Sequence, residues 1–232
     1  MNKFLRFGLM TFALAFVFSA FAATETKAQG VLNDILNRMD QHNKLLKTLQ
    51  ADIKMAKLNA QLGESDITEG TVKYLPGASE KNIYVRIDWA KPVVEHLAVA
   101  NGQYVLYRPN LKQAIVGKVD KKEGNAKASG ALSFMGMNKA QLKANYDVKY
   151  IGQETVTGGI QTWHLELTPK NASSYKSADL WVDGNGMPVQ AKVTEKNNDT
   201  TTVLLSNLQK NLKISGDTFS IKPPKGTKIV NG

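Results

Sequence analysis

Residues 83–89 read IYVRIDW. In an extended chain Ile83, Val85, Ile87 and Trp89 fall on one side, and Tyr84, Arg86 and Asp88 on the other. Strict apolar–polar alternation marks a strand with one face in a core and one in water. Pro92 ends the run. Downstream, VVEHLAVANGQYVLY (93–107) reads as two strands around Asn101-Gly102, the strongest short hairpin signal. TWHLELTP (162–169) alternates again, with Trp163, Leu165 and Leu167 on the apolar side and Thr162, His164 and Glu166 opposite. ADLWVDGNGMPVQAKV (178–193) is a second hairpin, turning at Asp183–Gly186, and DTTTVLLSNL (199–208) is one more strand. The tail FSIKPPKGTKIV (219–230) gives a short strand, then Pro223-Pro224, Gly226 and Ile229-Val230.

About nine to eleven strands in meander order predict an α+β protein built on one large antiparallel sheet. A sheet that wide curls or closes, here into an incomplete barrel. Every second residue then lines its concave face. Ile83, Val85, Ile87, Trp89, Trp163, Leu165 and Leu167 are the candidate cavity lining.

A barrel left partly open needs a cover. Residues 31–47, VLNDILNRMDQHNKLLK, place Val31, Leu32, Ile35, Leu36, Met39, Leu45 and Leu46 largely at helical spacing, which predicts an amphipathic helix. Residues 48–62 fit helix or strand. The second candidate cover is ALSFMGMNKAQL (131–142), within a helical region around 128–145. It gathers Leu132, Phe134, Met135 and Met137 around Gly136, just after the polar KVDKKEGNAK loop. Methionine side chains repack easily around variable ligands. The segment is either ordinary core or a lid of adaptable side chains.

Lys3 and Arg6, the apolar run LMTFALAFVFSAFA and Ala20-Phe21-Ala22 match a secretory signal, expected to span residues 1–22, with Thr26-Lys27-Ala28 as a later cut. Residues 29–232 are then expected to form a single domain exported to the periplasm. The chain has no cysteine, so packing alone holds it together. Its formal charge is +10, or about +8 without Lys3 and Arg6. Export argues against nucleic acid as the partner, and the charge then serves either solubility alone or contact with anionic head groups or an acidic protein. His42, His96 and His164 show no metal-ligand spacing. Asp179 and Asp183 flank Leu180–Val182 and read as solvated. There is no nucleophile elbow, phosphate loop or dinucleotide fingerprint. No cofactor, metal or enzymatic activity is expected.

In chain order, Glu69–Tyr74, Val85–Trp89 with Pro92, Asn101-Gly102, Tyr107–Gln113, Leu165–Lys170, Phe219–Ile221 and Pro223–Val230 resemble motifs of the periplasmic outer-membrane lipoprotein carrier family, the LolA-like proteins. The resemblance covers nearly all of the chain beyond the signal. It implies an incomplete antiparallel barrel under a helical lid. It implies a carrier that takes the acyl chains of lipoproteins from an inner-membrane ABC-type release complex to an outer-membrane acceptor. A lipid-sensing regulatory domain or a phospholipid or glycolipid carrier would share the fold. A shuttling carrier is expected to be a monomer. Family members place an arginine before the proline that ends the second strand, where it ties down the lid. Here Leu75 precedes Pro76, and alternation puts Arg86 on the face opposite Ile87.

Overall fold

The alternating segments all become strands of one sheet. The computed structural model describes residues 15–76, 83–118 and 133–232. Its strands are β1 (Leu49–Asn59), β2 (Glu64–Leu75), β3 (Tyr84–Lys91), β4 (Glu95–Ala100), β5 (Gln103–Arg108), β6 (Gln113–Lys118), β7 (Tyr146–Val156), β8 (Ile160–Pro169), β9 (Tyr175–Asp183), β10 (Pro188–Glu195), β11 (Thr200–Lys210) and β12 (Lys228–Asn231). The spatial order is β12-β6-β5-β4-β3-β2-β1-β11-β10-β9-β8-β7. Neighbours are antiparallel except β12, which runs parallel to β6. β7 and β12 are the two edges, so the sheet is curled but not closed.

Local chemistry accounts for the turns. Asn101 and Gly102 have φ of 52° and 72°, the left-handed pair that a two-residue hairpin needs. The ambiguous stretch after residue 48 is strand β1, because β2 and β11 flank it and bury Leu49, Ala51, Ile53 and Met55 on one face. Tertiary pairing overrides its helical option.

Gly70 sits where the β2–β3 register shifts. A Cβ there would lie 2.2 Å from the Asp88 carbonyl oxygen and 2.8 Å from Trp89 Cα. Backbone atoms cannot swing aside, so Gly70→Ala is expected to cost about 2 kcal/mol. Denaturant unfolding reads the loss directly.

Helix α1 (Ala15–Leu45) lies on the concave face and buries Leu32, Ile35, Leu36 and Met39. It stops at Leu45, short of the predicted Lys47, because the Lys47 amide donates to Asn211 Oδ1 at 2.7 Å. The second helical piece is a 3-10 turn at Phe134–Gly136 followed by α2 (Lys139–Asn145). A reciprocal capping box starts α2. Asn138 Oδ1 accepts from the Gln141 amide, and Gln141 Oε1 accepts from the Asn138 amide. The KVDKKEGNAK loop beyond Lys118 lies outside the described residues, as do Leu132 and residues 1–14, where most of the signal segment falls.

The tail departs from expectation. Phe219–Ile221 is not a strand. A 3-10 turn, Gly216–Phe219, buries Phe219 on the convex side of β3, with its ring 5.9 Å from that of Tyr84. Burying one aromatic here outweighs extending the alternation. Arg86 Nη1 donates to the Ser220 carbonyl, and Arg86 also pairs with Asp88 at 2.7 Å. Arg86 therefore works on the outer face, holding the tail.

Candidate functional site

The inward residues of the sheet and those of the two helical pieces form one apolar cluster. Ile87 pairs across to Val72 and Leu97, and Trp89 to Gly70 and Glu95. Leu165 pairs with Tyr150 and Leu180, and Leu167 with Val148 and Ala178. Ile87, Trp89, Leu165 and Leu167 are buried in the cluster, while Val85 and Trp163 are half-buried against it. β3 and β8 lie far apart in the strand order, and the curl brings their residues to one face. Ile83 precedes β3 by one residue, is half-buried and does not join the cluster.

Sequence reading missed most of the floor between these groups. Ile53 and Met55 of β1, Leu180 of β9, and Val203 and Leu205 of β11 are all buried there. Their period-2 signal was present, but nothing in it says which strands neighbour which. Over β4 to β6, Leu97, Leu106 and Ile115 continue the same face by register and are only half-buried. The concave face is thus fully covered on one side and partly open on the other.

The cover is a composite of α1 and residues 134–145. Phe134 is 2% exposed and meets the rings of Tyr146 at 5.7 Å and Tyr175 at 6.1 Å. The two tyrosine hydroxyls lie 2.7 Å apart. Burial first, then the Tyr175 hydroxyl, pushes the Tyr146 phenol well above its ordinary value. Met137 is half-buried against the core. Met135 belongs to the 3-10 turn by its backbone, and its side chain lies outside the description.

What joins the two pieces is a polar row on α1. Asn43 Nδ2 donates to the Met137 carbonyl (3.1 Å), and Asp40 Oδ1 accepts from the Lys139 amide (2.7 Å). Asn37 Oδ1 and Asn33 Oδ1 accept from the ammonium groups of Lys139 (2.8 Å) and Lys143 (2.9 Å). Residues 33, 37, 40 and 43 share one helix face. Among the described residues, this row ties residues 134–145 to α1. Each such bond nets only about 1 kcal/mol, because water competes for exposed groups.

α1 also has a seat on the sheet. Arg38 Nη1 donates to the Gly184 carbonyl at 3.2 Å, and its guanidinium lies 5.4 Å from the Trp163 ring centre. Two surface clefts, of 560 and 350 Å³, lie elsewhere, one at the β1–β11 bulge around Asp52 and Asn207, the other beside Arg38 and Asn185.

His42, on the same helix, is buried, and its Nε2 has no hydrogen-bond partner. Burial, then the charge of Lys210, lowers its pKa below 6.5, against a smaller opposing effect of Asp183. The folded state therefore prefers the neutral ring. Nothing is lost above the unfolded pKa, and stability falls as pH drops below about 6.5. The protection factors of α1 amides, taken against their intrinsic exchange rates, are expected to fall on acidification toward pH ~5, and His42→Leu to remove that change. The depressed carboxyl groups of Glu69 and Glu154 lose their contribution at lower pH, below their ordinary 4.5.

The other two histidines lie on the convex face. His96 pairs with Asp88 at 2.6 Å. His164 bridges Glu154 and Asp179, each at 2.8 Å, and stacks on Trp181. Asp179 is not solvated as the sequence suggested. It is buried, because His164 and Lys192 both reach it. Nor is Asp183 free, since its Oδ1 accepts from the amides of Asn185 and Met187 and shapes the β9–β10 turn.

Comparison with known proteins now adds to this geometry. A family model described as "Outer membrane lipoprotein carrier protein LolA" matches residues 45–222. A curated relative from Bordetella avium (strain 197N), named outer-membrane lipoprotein carrier protein, is 27% identical over 192 residues, 78% of this chain and 86% of its own. An uncharacterized conserved protein from Thermus thermophilus shares the fold with a TM-score of 0.55 at 12% identity, over 87% of this chain and 99% of that one. A LolA superfamily protein from Nitrosomonas europaea aligns with a TM-score of 0.42 at 14% identity, over 82% of this chain and 97% of its own.

Proposed function

The chain belongs to the outer membrane lipoprotein carrier family, and from that membership we propose that it shields the acyl chains of exported lipoproteins and carries them across the periplasm. The observation that carries this reading is the contrast between the two sides of the lid. Beneath it lies a continuous apolar face. Its fastening is a row of exposed or half-exposed polar bonds. Such a cover holds in water and gives way when apolar cargo competes for the face below.

The energetics suit transfer. Burial is worth roughly 0.8 kcal/mol per methylene, or about 12 kcal/mol for a chain of about fifteen. A bilayer offers nearly the same, so a carrier needs to shield the chain and release it, not to outbid the membrane. An inner-membrane ABC-type complex would load the carrier and an outer-membrane acceptor would unload it. The chain acts as a monomer and as a binding protein rather than an enzyme. The charged groups around His96 and His164 lie on the convex face, away from the cavity.

Native mass spectrometry of protein recovered from its export compartment tests the reading. Bound triacylated lipoprotein is the expected adduct. Bound phospholipid or glycolipid would move the function to lipid transport or sensing on the same cavity. Failure to take up a fluorescent fatty acid would mean that the concave face is ordinary core.

A further inference from the structure

Two short basic segments, far apart in sequence, meet at one end of the sheet. Lys44-Leu45-Leu46-Lys47 spans the end of α1, and Lys210-Asn211-Leu212-Lys213 spans the end of β11. Four hydrogen bonds lock them side by side. The Lys47 amide donates to Asn211 Oδ1 (2.7 Å), and Asn211 Nδ2 donates to the Leu45 carbonyl (3.3 Å). The Asn211 amide donates to the Thr48 carbonyl (2.8 Å), and Thr48 Oγ1 to the Leu212 carbonyl (2.6 Å). Asn211 has φ of +62°, a conformation asparagine tolerates better than most residues.

This platform presents two leucines to water. Leu45 is 70% exposed and Leu212 44%. Lys44, Lys47 and Lys213 are exposed and Lys210 half-buried. Neither tetrapeptide contains an acid, and among the described residues none of the four lysines forms an ion pair. Helix ends favour cations, which accounts for Lys44. It does not account for Lys47, Lys210 or Lys213, which lie beyond the helix.

We propose that this lysine–leucine platform docks the protein on an anionic lipid bilayer, with the ammonium groups among the head groups and Leu45 and Leu212 in the interface. All four cations are lysine, a point charge on a flexible stem that adapts to a fluid array of phosphates. Leucines that protrude from a helix end and the adjoining loop suit insertion between lipids, as interfacial anchors do. The platform adjoins the C-terminal end of α1, so docking would set the lid helix beside the membrane that supplies or receives cargo.

The test is sedimentation of the purified protein with vesicles of phosphatidylcholine alone and of phosphatidylcholine with about one third phosphatidylglycerol. Binding is expected to be at least about tenfold tighter to the anionic vesicles, and that excess to vanish at about 0.5 M salt, where screening shortens to a few ångströms. Each lysine at such a surface is worth up to about fivefold. The variant Lys44→Gln/Lys47→Gln/Lys210→Gln/Lys213→Gln is then expected to lose at least about tenfold in affinity. Leu45→Ser/Leu212→Ser should weaken binding at unchanged charge. Residues ahead of the platform are identical in all forms, so their effect cancels. Uptake of a fluorescent fatty acid, which reads the cavity, should be unchanged in both variants, separating this proposal from the carrier reading. Anionic-vesicle binding by the glutamine variant equal to that of wild type would overturn the proposal. So would wild-type binding to polyglutamate but not to vesicles, which would make the partner an acidic protein.

Discussion

Gly186→Val is expected to lift α1 from the sheet while the strands stay paired. Gly186 has φ of +81° in the β9–β10 turn, and a Cβ there would fall 2.3 Å from the carbonyl carbon and oxygen of Arg38 and 2.7 Å from the Met39 amide nitrogen. The lid helix and the turn meet backbone to backbone, with no flexible side chain to yield. A branched residue both strains the turn and forces the helix away, a combined cost of about 4 kcal/mol. That is about three powers of ten in the ratio of docked to undocked α1. Hydrogen exchange should quicken across residues 31–45 and stay slow in β1 and β11. Because the floor remains apolar, a fluorescent fatty acid should bind faster and at least as tightly. Gly184→Ala is the control, since a Cβ there meets nothing within 4 Å. Unchanged protection of α1 in Gly186→Val would show that the turn is not its seat.

Phe134→Asp should act in the opposite direction on cargo. The ring of Phe134 is enclosed by Tyr146 and Tyr175. An unpaired carboxylate in that position costs several kcal/mol. The polar row on α1 supplies about 1 kcal/mol per bond, so the 134–137 turn detaches. The charge then stays at the edge of the apolar face, where it opposes the sealing of an acyl chain against that face. Fatty-acid affinity should drop by about a hundredfold, or roughly 3 kcal/mol, with only a small fall in the thermal midpoint of the sheet. Phe134→Leu should bind nearly normally. Wild-type affinity in the aspartate variant would remove residues 134–137 from the site.

These two positions show what a sequence discloses and what it withholds. The strands around IYVRIDW and TWHLELTP were legible because alternation and turn residues agree there. β1 was not, because Leu58 and Leu62 fit a helix as well as Ile53 and Met55 fit a strand. The tie between α1 and residues 134–145 was hidden for a different reason. Asn33, Asn37, Asp40 and Asn43 look like the solvated side of an amphipathic helix, and their partners lie about a hundred residues away. The apolar side of each strand was legible as a face, but its extent was not. Alternation puts Ile83 in line with Ile87, yet β3 begins one residue later and leaves it at the margin. The parallel β12 left no signal either, since four residues after a Pro-Pro turn carry no periodicity.

The unpaired edges of β7 and β12 make the molecule a split ring. In a sealed cylinder, girth is set by strand number and stagger, and widening it means breaking backbone rungs. A split ring widens by a small change of twist at each strand, with every rung kept. The curvature of the apolar face can then change without the loss of a backbone rung. Among the described residues the gap leaves two unpaired strand rims, and each carries an exposed lysine, Lys149 on one and Lys228 on the other, the residue type that discourages edge-to-edge pairing.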